Sequence, residues 1–388
     1  MLWPTPTPTP VGRQRHAMVY DTARGVSVLF GGIDVNSSSV SDTNATYGDT
    51  WEFDGLAWQQ KFPAHSPSAR YGHAMTYDSA RGVTVLFGGR AQISGQTTCF
   101  NDVWEWNGSD WSQVATVGAS PSPRAYHGMA YDSARRAHVM HGGLFVFLVE
   151  GDTWEYNGAA RTWLLRSQDP AGNGPSSRFW FQMVFDAARD RTLLFGGTQN
   201  TVAQFGDTWV WDGHLGAWAQ LNPSAHPSPR QLYTLAYDSI RKVVLLQCGQ
   251  HPSDNYPLVN DRESWEWDGA NWQDMTMSYL FCCPREGGAM VYDTRLRQMV
   301  QFGGFGSNHE DIWMLKEEWQ GPSVFVDWRN SGARDGSASH PFQTVRQAST
   351  NAADCTLLNI HAGDYHESQL LLNKPMIMEA TNGDVFLR

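Results

Sequence analysis

The chain has 388 residues, 41% hydrophobic and 17% charged, so it can bury a large core and is not disordered in bulk. Its net charge is −11 and its pI about 5.6, which excludes nucleic acid as the main partner, because phosphate binding needs clustered Lys and Arg. No apolar run reaches the roughly 18 residues that a membrane span requires, so no span is expected.

The chain opens on MLWPTPTPTP, which lacks the basic start and apolar stretch of a signal peptide and reads, over 1–12, as an extended Pro/Thr-rich segment. A repeat begins at Arg13. An Arg followed eight residues later by Asp recurs as Arg13/Asp21, Arg70/Asp78, Arg124/Asp132, Arg178/Asp186, Arg230/Asp238 and Arg285/Asp293. A diglycine closes the next apolar run at Gly31-Gly32, Gly88-Gly89, Gly142-Gly143, Gly196-Gly197 and Gly303-Gly304, with Cys248-Gly249 in the fifth copy. An acid-x-Trp then follows at Asp49/Trp51, Asp102/Trp104, Asp152/Trp154, Asp207/Trp209, Glu263/Trp265 and Asp311/Trp313. A second Trp comes at Trp58, Trp111, Trp163, Trp218 and Trp272. Successive repeat arginines lie 52 to 57 residues apart.

Each copy reads as four short strands. In the second, His73–Tyr77, Val83–Phe87, Val103–Trp106 and the residues around Trp111 are β-branched or aromatic runs bounded by Gly, Asp, Asn and Pro. One such sheet cannot bury both faces, whereas six arranged radially can. The sequence order resembles the kelch repeat, and the resemblance covers about 13–319. It implies an all-β fold: a six-bladed β-propeller of four-stranded antiparallel blades over 13–321. Leu2-Trp3 and Glu318-Trp319-Gln320 compete for the last strand of the sixth blade, and the local hairpin favours Trp319.

From about Pro322 the repeat stops. Ser323–Trp328 reads as a strand, Pro341–Asn351 as a short amphipathic helix, and Thr356–Ile360, Gln369–Leu372, Pro375–Glu379 and Val385–Leu387 as strands split by Gly363 and Gly383. Asp335-Gly336, Pro341-Phe342-Gln343-Thr344 and Gly363-Asp364-Tyr365-His366-Glu367 resemble the opening of a pectate-lyase-like right-handed β-helix. That implies a short β-helix-like segment over 322–388, too short for the lyase cleft. Its open edge is a candidate for oligomer or filament contacts.

The strand order separates two faces. The 1–2 turns, such as Asp21-Thr22-Ala23-Arg24-Gly25, are uniform, whereas the 2–3 loops differ in every repeat. Variable loops on a rigid scaffold are where binding resides. These loops carry Tyr47, Phe100, Phe145, Phe147, Phe205, Tyr256 and Phe305, whose rings suit sugars or peptide side chains; in the alternative, half of them pack their own loops. The apolar run at 144–149 is a candidate contact patch.

The arginines Arg13, Arg70, Arg124, Arg178, Arg230 and Arg285 are expected to ring the channel mouth on that face. A guanidinium fork suits a carboxylate or sulfate. Alternatively, each pairs with the acid before Trp and stitches the blades, leaving one or two for ligand. His16, His73 and His127 lie three residues after their arginines, but equivalent positions on neighbouring blades are too far apart for one ion. The five cysteines, Cys99, Cys248, Cys282, Cys283 and Cys355, fit neither a disulfide framework nor a metal motif. No catalytic residue is assigned, and no cofactor or metal is expected, because nucleophile-elbow, phosphate-loop and zinc-protease motifs are absent.

Kelch-like propellers include galactose oxidase, whose copper motifs find no residue-by-residue match here. The sialic-acid mutarotases are similar by fold, and their carboxylate-binding Arg would suit the arginine ring. The expectation is a non-enzymatic, extracellular or cell-surface bacterial protein that binds a glycan or protein through the long-loop face. The rival is a carbohydrate-active enzyme, an oxidase or mutarotase, working at the channel mouth.

Overall fold

The computed structural model describes residues 8–35, 45–168, 173–200, 203–251, 259–260, 263–275, 285–306, 312–315, 323–327, 329, 337, 341, 343–345, 356–365 and 376–387. The chain divides into two compact units, Met1–Leu315 and Lys316–Arg388.

Five antiparallel four-stranded blades fill most of the first unit. The first is Ala17–Asp21, Val26–Asp34, Thr46–Phe53 and Trp58–Lys61, with the short strand Arg13–Gln14 added against the far end of Val26–Asp34; the second is Ala74–Asp78, Val83–Phe87, Val103–Trp106 and Trp111–Val114. The third is Gly128–Asp132, Ala137–Phe145, Leu148–Asn157 and Thr162–Ser167; the fourth is Gln182–Asp186, Arg191–Phe195, Thr208–Asp212 and Ala217–Leu221. The fifth is Thr234–Asp238, Val243–Gln247, Ser264–Trp267 and Trp272–Asp274. The sixth repeat forms a sheet of three strands, Ala289–Asp293, Gln298–Phe302 and Ile312–Leu315. The expected six four-stranded blades are therefore corrected to five. Both segments that compete for the missing strand, around Trp3 and Trp319, lie outside the described residues.

Local chemistry explains the uniform turns. Asp21 Oδ1 accepts from the backbone N–H groups of Ala23 and Arg24 (both 3.0 Å), and its Oδ2 accepts from Arg24 Nε (2.7 Å). Asp78 with Arg81 repeats the arrangement. An aspartate at this position closes the hairpin on its own backbone.

The tryptophans fill the seams between blades. Trp111, Trp218 and Trp272 donate their indole N–H to Thr50, Thr153 and Thr208 of the preceding blade at 2.9–3.0 Å. A buried indole contributes large apolar area once its N–H is satisfied. The three-stranded sheet packs the same way: Val291, Val300 and Phe302 cluster with Met18, Leu29 and Trp58, while Met290 and Met299 cluster with Ala236 and Leu245. It thus lies between the first and fifth blades.

The second unit contains three parallel strands, Ser323–Val326, Thr356–Tyr365 and Met376–Leu387, with Ser323 opposite Leu357 and Leu357 opposite Ile377. Gly363 and Gly383 do not split strands as expected. Gly363 is absorbed by an irregularity in register after His361, and Gly383 lies within the last strand. The expected strand Gln369–Leu372 and most of the helix expected over Pro341–Asn351 fall outside the described residues.

Candidate functional site

The arginine ring is built into the scaffold. Arg13, Arg70, Arg124, Arg178 and Arg230 are each fully buried. Arg13 makes a two-pronged pair with Asp49 (2.6 and 2.9 Å), and Nη1 also donates to the Gly31 carbonyl. Arg70 pairs likewise with Asp102, Arg124 with Asp152, and Arg178 with Asp207. Arg230 pairs with Glu263. Arg285 is 2% exposed and donates to the Gly303 carbonyl at 3.2 Å, while its expected acid, Asp311, lies outside the described residues.

The acid-x-Trp motif follows from the same pairing. The second oxygen of Asp49, Asp102, Asp152 and Asp207 also accepts the indole N–H of the tryptophan two residues on, at 2.6–2.7 Å. Burial alone would push these carboxyls up, but the arginine hydrogen bonds and charge overcome it and hold them below the ordinary value. Each arginine's backbone carbonyl accepts from the second glycine of the neighbouring blade, as in Gly32 N–H to Arg70 and Gly304 N–H to Arg13. The side chains of Arg13, Arg70, Arg124, Arg178 and Arg230 thus engage acids of their own repeats, while the backbone carbonyls join neighbouring blades.

The loop aromatics divide. Tyr47, Phe100 and Phe205 lie against the guanidiniums of Arg13, Arg70 and Arg178, with centroids 4.0–4.3 Å away. Their faces are turned to the scaffold. Phe305 is 47% exposed, and Tyr256 lies outside the described residues. Phe145 is 36% and Phe147 94% exposed, at the tip of a hairpin whose Phe145 and Leu148 pair. Val146 in that tip has φ of 53°, a costly conformation for a β-branched residue.

His16, His73 and His127 are buried wall residues. Each ring packs edge-on against a phenylalanine of the neighbouring blade: Phe302, Phe30 and Phe87. Burial, reinforced by the nearby arginines, pushes His16 and His127 down to about 3 and lowers His73 as well. Among the described residues no three His, Cys, Asp or Glu side chains gather as a metal site.

Two residues past each repeat arginine the chain makes a closed belt. Arg15 N–H donates to Gly287, Gly287 to Leu232, Leu232 to Trp180, Trp180 to Tyr126, Tyr126 to Gly72 and Gly72 to Arg15, at 2.6–3.1 Å. All six residues have φ between 57° and 66°. The belt rims a central cavity of ≈ 190 Å³. Arg15 reaches across it: Nη1 donates to Tyr126 Oη at 3.4 Å, and the guanidinium lies 5.6 Å from the Trp180 ring centroid. Gly72 is required beneath this bar, because a Cβ there would stand 2.6 Å from the Tyr126 ring. Below the belt the wall is sulfur-rich, with Met18, Met75, Met129, Met183 and Met290 at equivalent positions and His16, His73, His127 and Gln182 among them.

Beside the mouth, Glu286 is 8% exposed, and its Oε2 has no hydrogen-bond partner among the described residues. Burial pushes it up to about 7, against the pull of Arg15. Arg15, Tyr126, Trp180 and Glu286 were not singled out by sequence reasoning. The available signal is the position itself, which holds Gly in two copies and Arg, Tyr, Trp or Leu in the others.

A family model described as the KLHDC2/KLHL20/DRC7 Kelch-repeats domain matches residues 2–185. The dynein alpha chain of the flagellar outer arm of Chlamydomonas reinhardtii is 28% identical over 242 residues, which is 56% of this chain and 5% of that protein. Kelch domain-containing protein 2 of Bos taurus is 26% identical over 142 residues, which is 35% of this chain and 32% of that protein. The match thus spans well under two thirds of either relative. The solved structure of YjhT superposes with a TM-score of 0.61 at 14% identity, covering 80% of this chain and 97% of that one.

Proposed function

Because the chain carries a kelch-repeat β-propeller, we propose that it is a recognition module that grips a protein segment through its long-loop face. The carrying observation is the hairpin tip at Phe145–Leu148. Phe147 is 94% exposed there and Val146 sits in the left-handed region, so the tip bears both a solvation and a conformational cost. Costs of that kind persist where a partner covers the residues. Six repeats closing one ring, a β-helix-like run of parallel strands after it, association through those strands and an extracellular setting belong to the same proposal. The sixth sheet between blades one and five supports the ring, and the parallel register of the last three strands supports the β-helix-like run.

The test is peptide-library panning against the full chain, alongside a glycan array. Enriched peptides that lose binding to Phe147→Ser support the proposal. Glycan binding without peptide enrichment, or peptides indifferent to Phe147→Ser, overturns it.

A further inference from the structure

The central cavity combines two features that its scaffold role does not use. Its mouth holds the Arg15 guanidinium, whose nearest acid is only partly charged near neutrality. Arg15 makes no ion pair among the described residues, and Arg15 Nε and Trp180 Nε1 are buried without a hydrogen-bond partner there. Glu286, the carboxyl whose charge Arg15 feels, is pushed up to about 7 by burial, so near neutrality it compensates Arg15 only in part. The wall beneath is lined by methionines, with small residues such as Ala17, Ala74 and Gly128 between them. Thioethers pack well against ring edges. A volume of ≈ 190 Å³ exceeds the ~150 Å³ that holds a benzene, leaving room for one ring and one small substituent.

We propose that this cavity binds a small aromatic monocarboxylate, with its carboxylate on the Arg15 guanidinium and its ring among the methionines. Charge and shape single out this class. The guanidinium at the mouth suits a planar anion, the methionines suit a ring, and the volume suits one ring. The site lies inside the belt and is independent of the loop surface proposed for protein recognition.

The experiment is titration calorimetry of the full chain at pH 7 with benzoate and with its neutral analogue benzyl alcohol. Benzoate is expected to bind one to one, and benzyl alcohol at least about tenfold more weakly. Arg15→Gln should abolish the preference for benzoate while leaving the benzyl alcohol affinity in place. Ala74→Leu should weaken both probes by narrowing the cavity, with circular dichroism confirming each fold. No benzoate binding at millimolar concentration, equal affinity for the two probes, or benzoate binding insensitive to both Arg15→Gln and Ala74→Leu overturns the proposal.

Discussion

Glu286→Gln isolates a carboxyl that burial keeps partly protonated near neutrality. In the fold this group moves from its ordinary 4.5 to about 7. The folded state therefore holds the proton more tightly than the unfolded chain. Stability from this group is fully present below about pH 4.5, falls as pH rises toward 7, and is absent above it. A displacement of that size corresponds to about 3 kcal/mol at most. The side chain is only 8% exposed, so solvent screening removes little of it. Glutamine keeps the shape without the ionisation. The variant should match the wild type near pH 4.5 and exceed it by up to about 3 kcal/mol at pH 8, or about 5 °C in Tm for a chain of this size. The assay is urea unfolding of both proteins at half-unit steps from pH 4.5 to 8.5. Titrating histidines act on both proteins alike and cancel in the difference. A difference that stays flat across that range, or one that falls with pH, refutes the burial argument.

Other substitutions probe the scaffold. Asp102→Asn strands the buried Arg70 charge and should cost about 2–4 kcal/mol in urea unfolding, whereas loss of under about 0.5 kcal/mol would mean the pair is incidental. His16 and His127 stay neutral down to about 3, so each should withdraw up to about 1.4 kcal/mol of stability per pH unit as pH falls below 6.5. The double variant His16→Phe/His127→Phe, which copies the Phe181 of the fourth repeat, should make that acid limb shallower in the same measurement, leaving the share of His73, His138 and His141. Gly72→Ala must move the Tyr126 ring, while Gly82→Ala, at φ of 68°, meets no atom within 4 Å. Thermal melts should show Gly72→Ala losing distinctly more than the roughly 1 kcal/mol expected from backbone conformation alone at Gly82→Ala.

The framework of the fold was legible because its determinants are local and repeated. Asp21, Asp78 and their counterparts cap their own hairpins, and each diglycine stands where a neighbouring blade's carbonyl must approach. The role of the arginines was only half legible. Spacing placed Arg70 and Asp102 on one face, but the choice between a bound anion and an internal pair depends on burial, which periodicity does not report. Periodicity likewise did not report that one face of the Phe100 and Phe205 rings stacks on a guanidinium. The channel mouth was hidden more deeply. Arg15, Tyr126 and Trp180 share a backbone conformation, not a residue type, so a pattern of side chains passes over them.

The belt around the channel has an electrical consequence. Six peptide groups aligned along a helix would leave partial charges at the two ends. Bent into a closed circle through Arg15, Gly72, Tyr126, Trp180, Leu232 and Gly287, the same groups have no ends, and their in-plane dipoles cancel around the loop. Around the ring itself the backbone thus presents no charged end to an ion. The charge discrimination of the channel then turns on the guanidinium laid across it, and a one-residue change there can reset it.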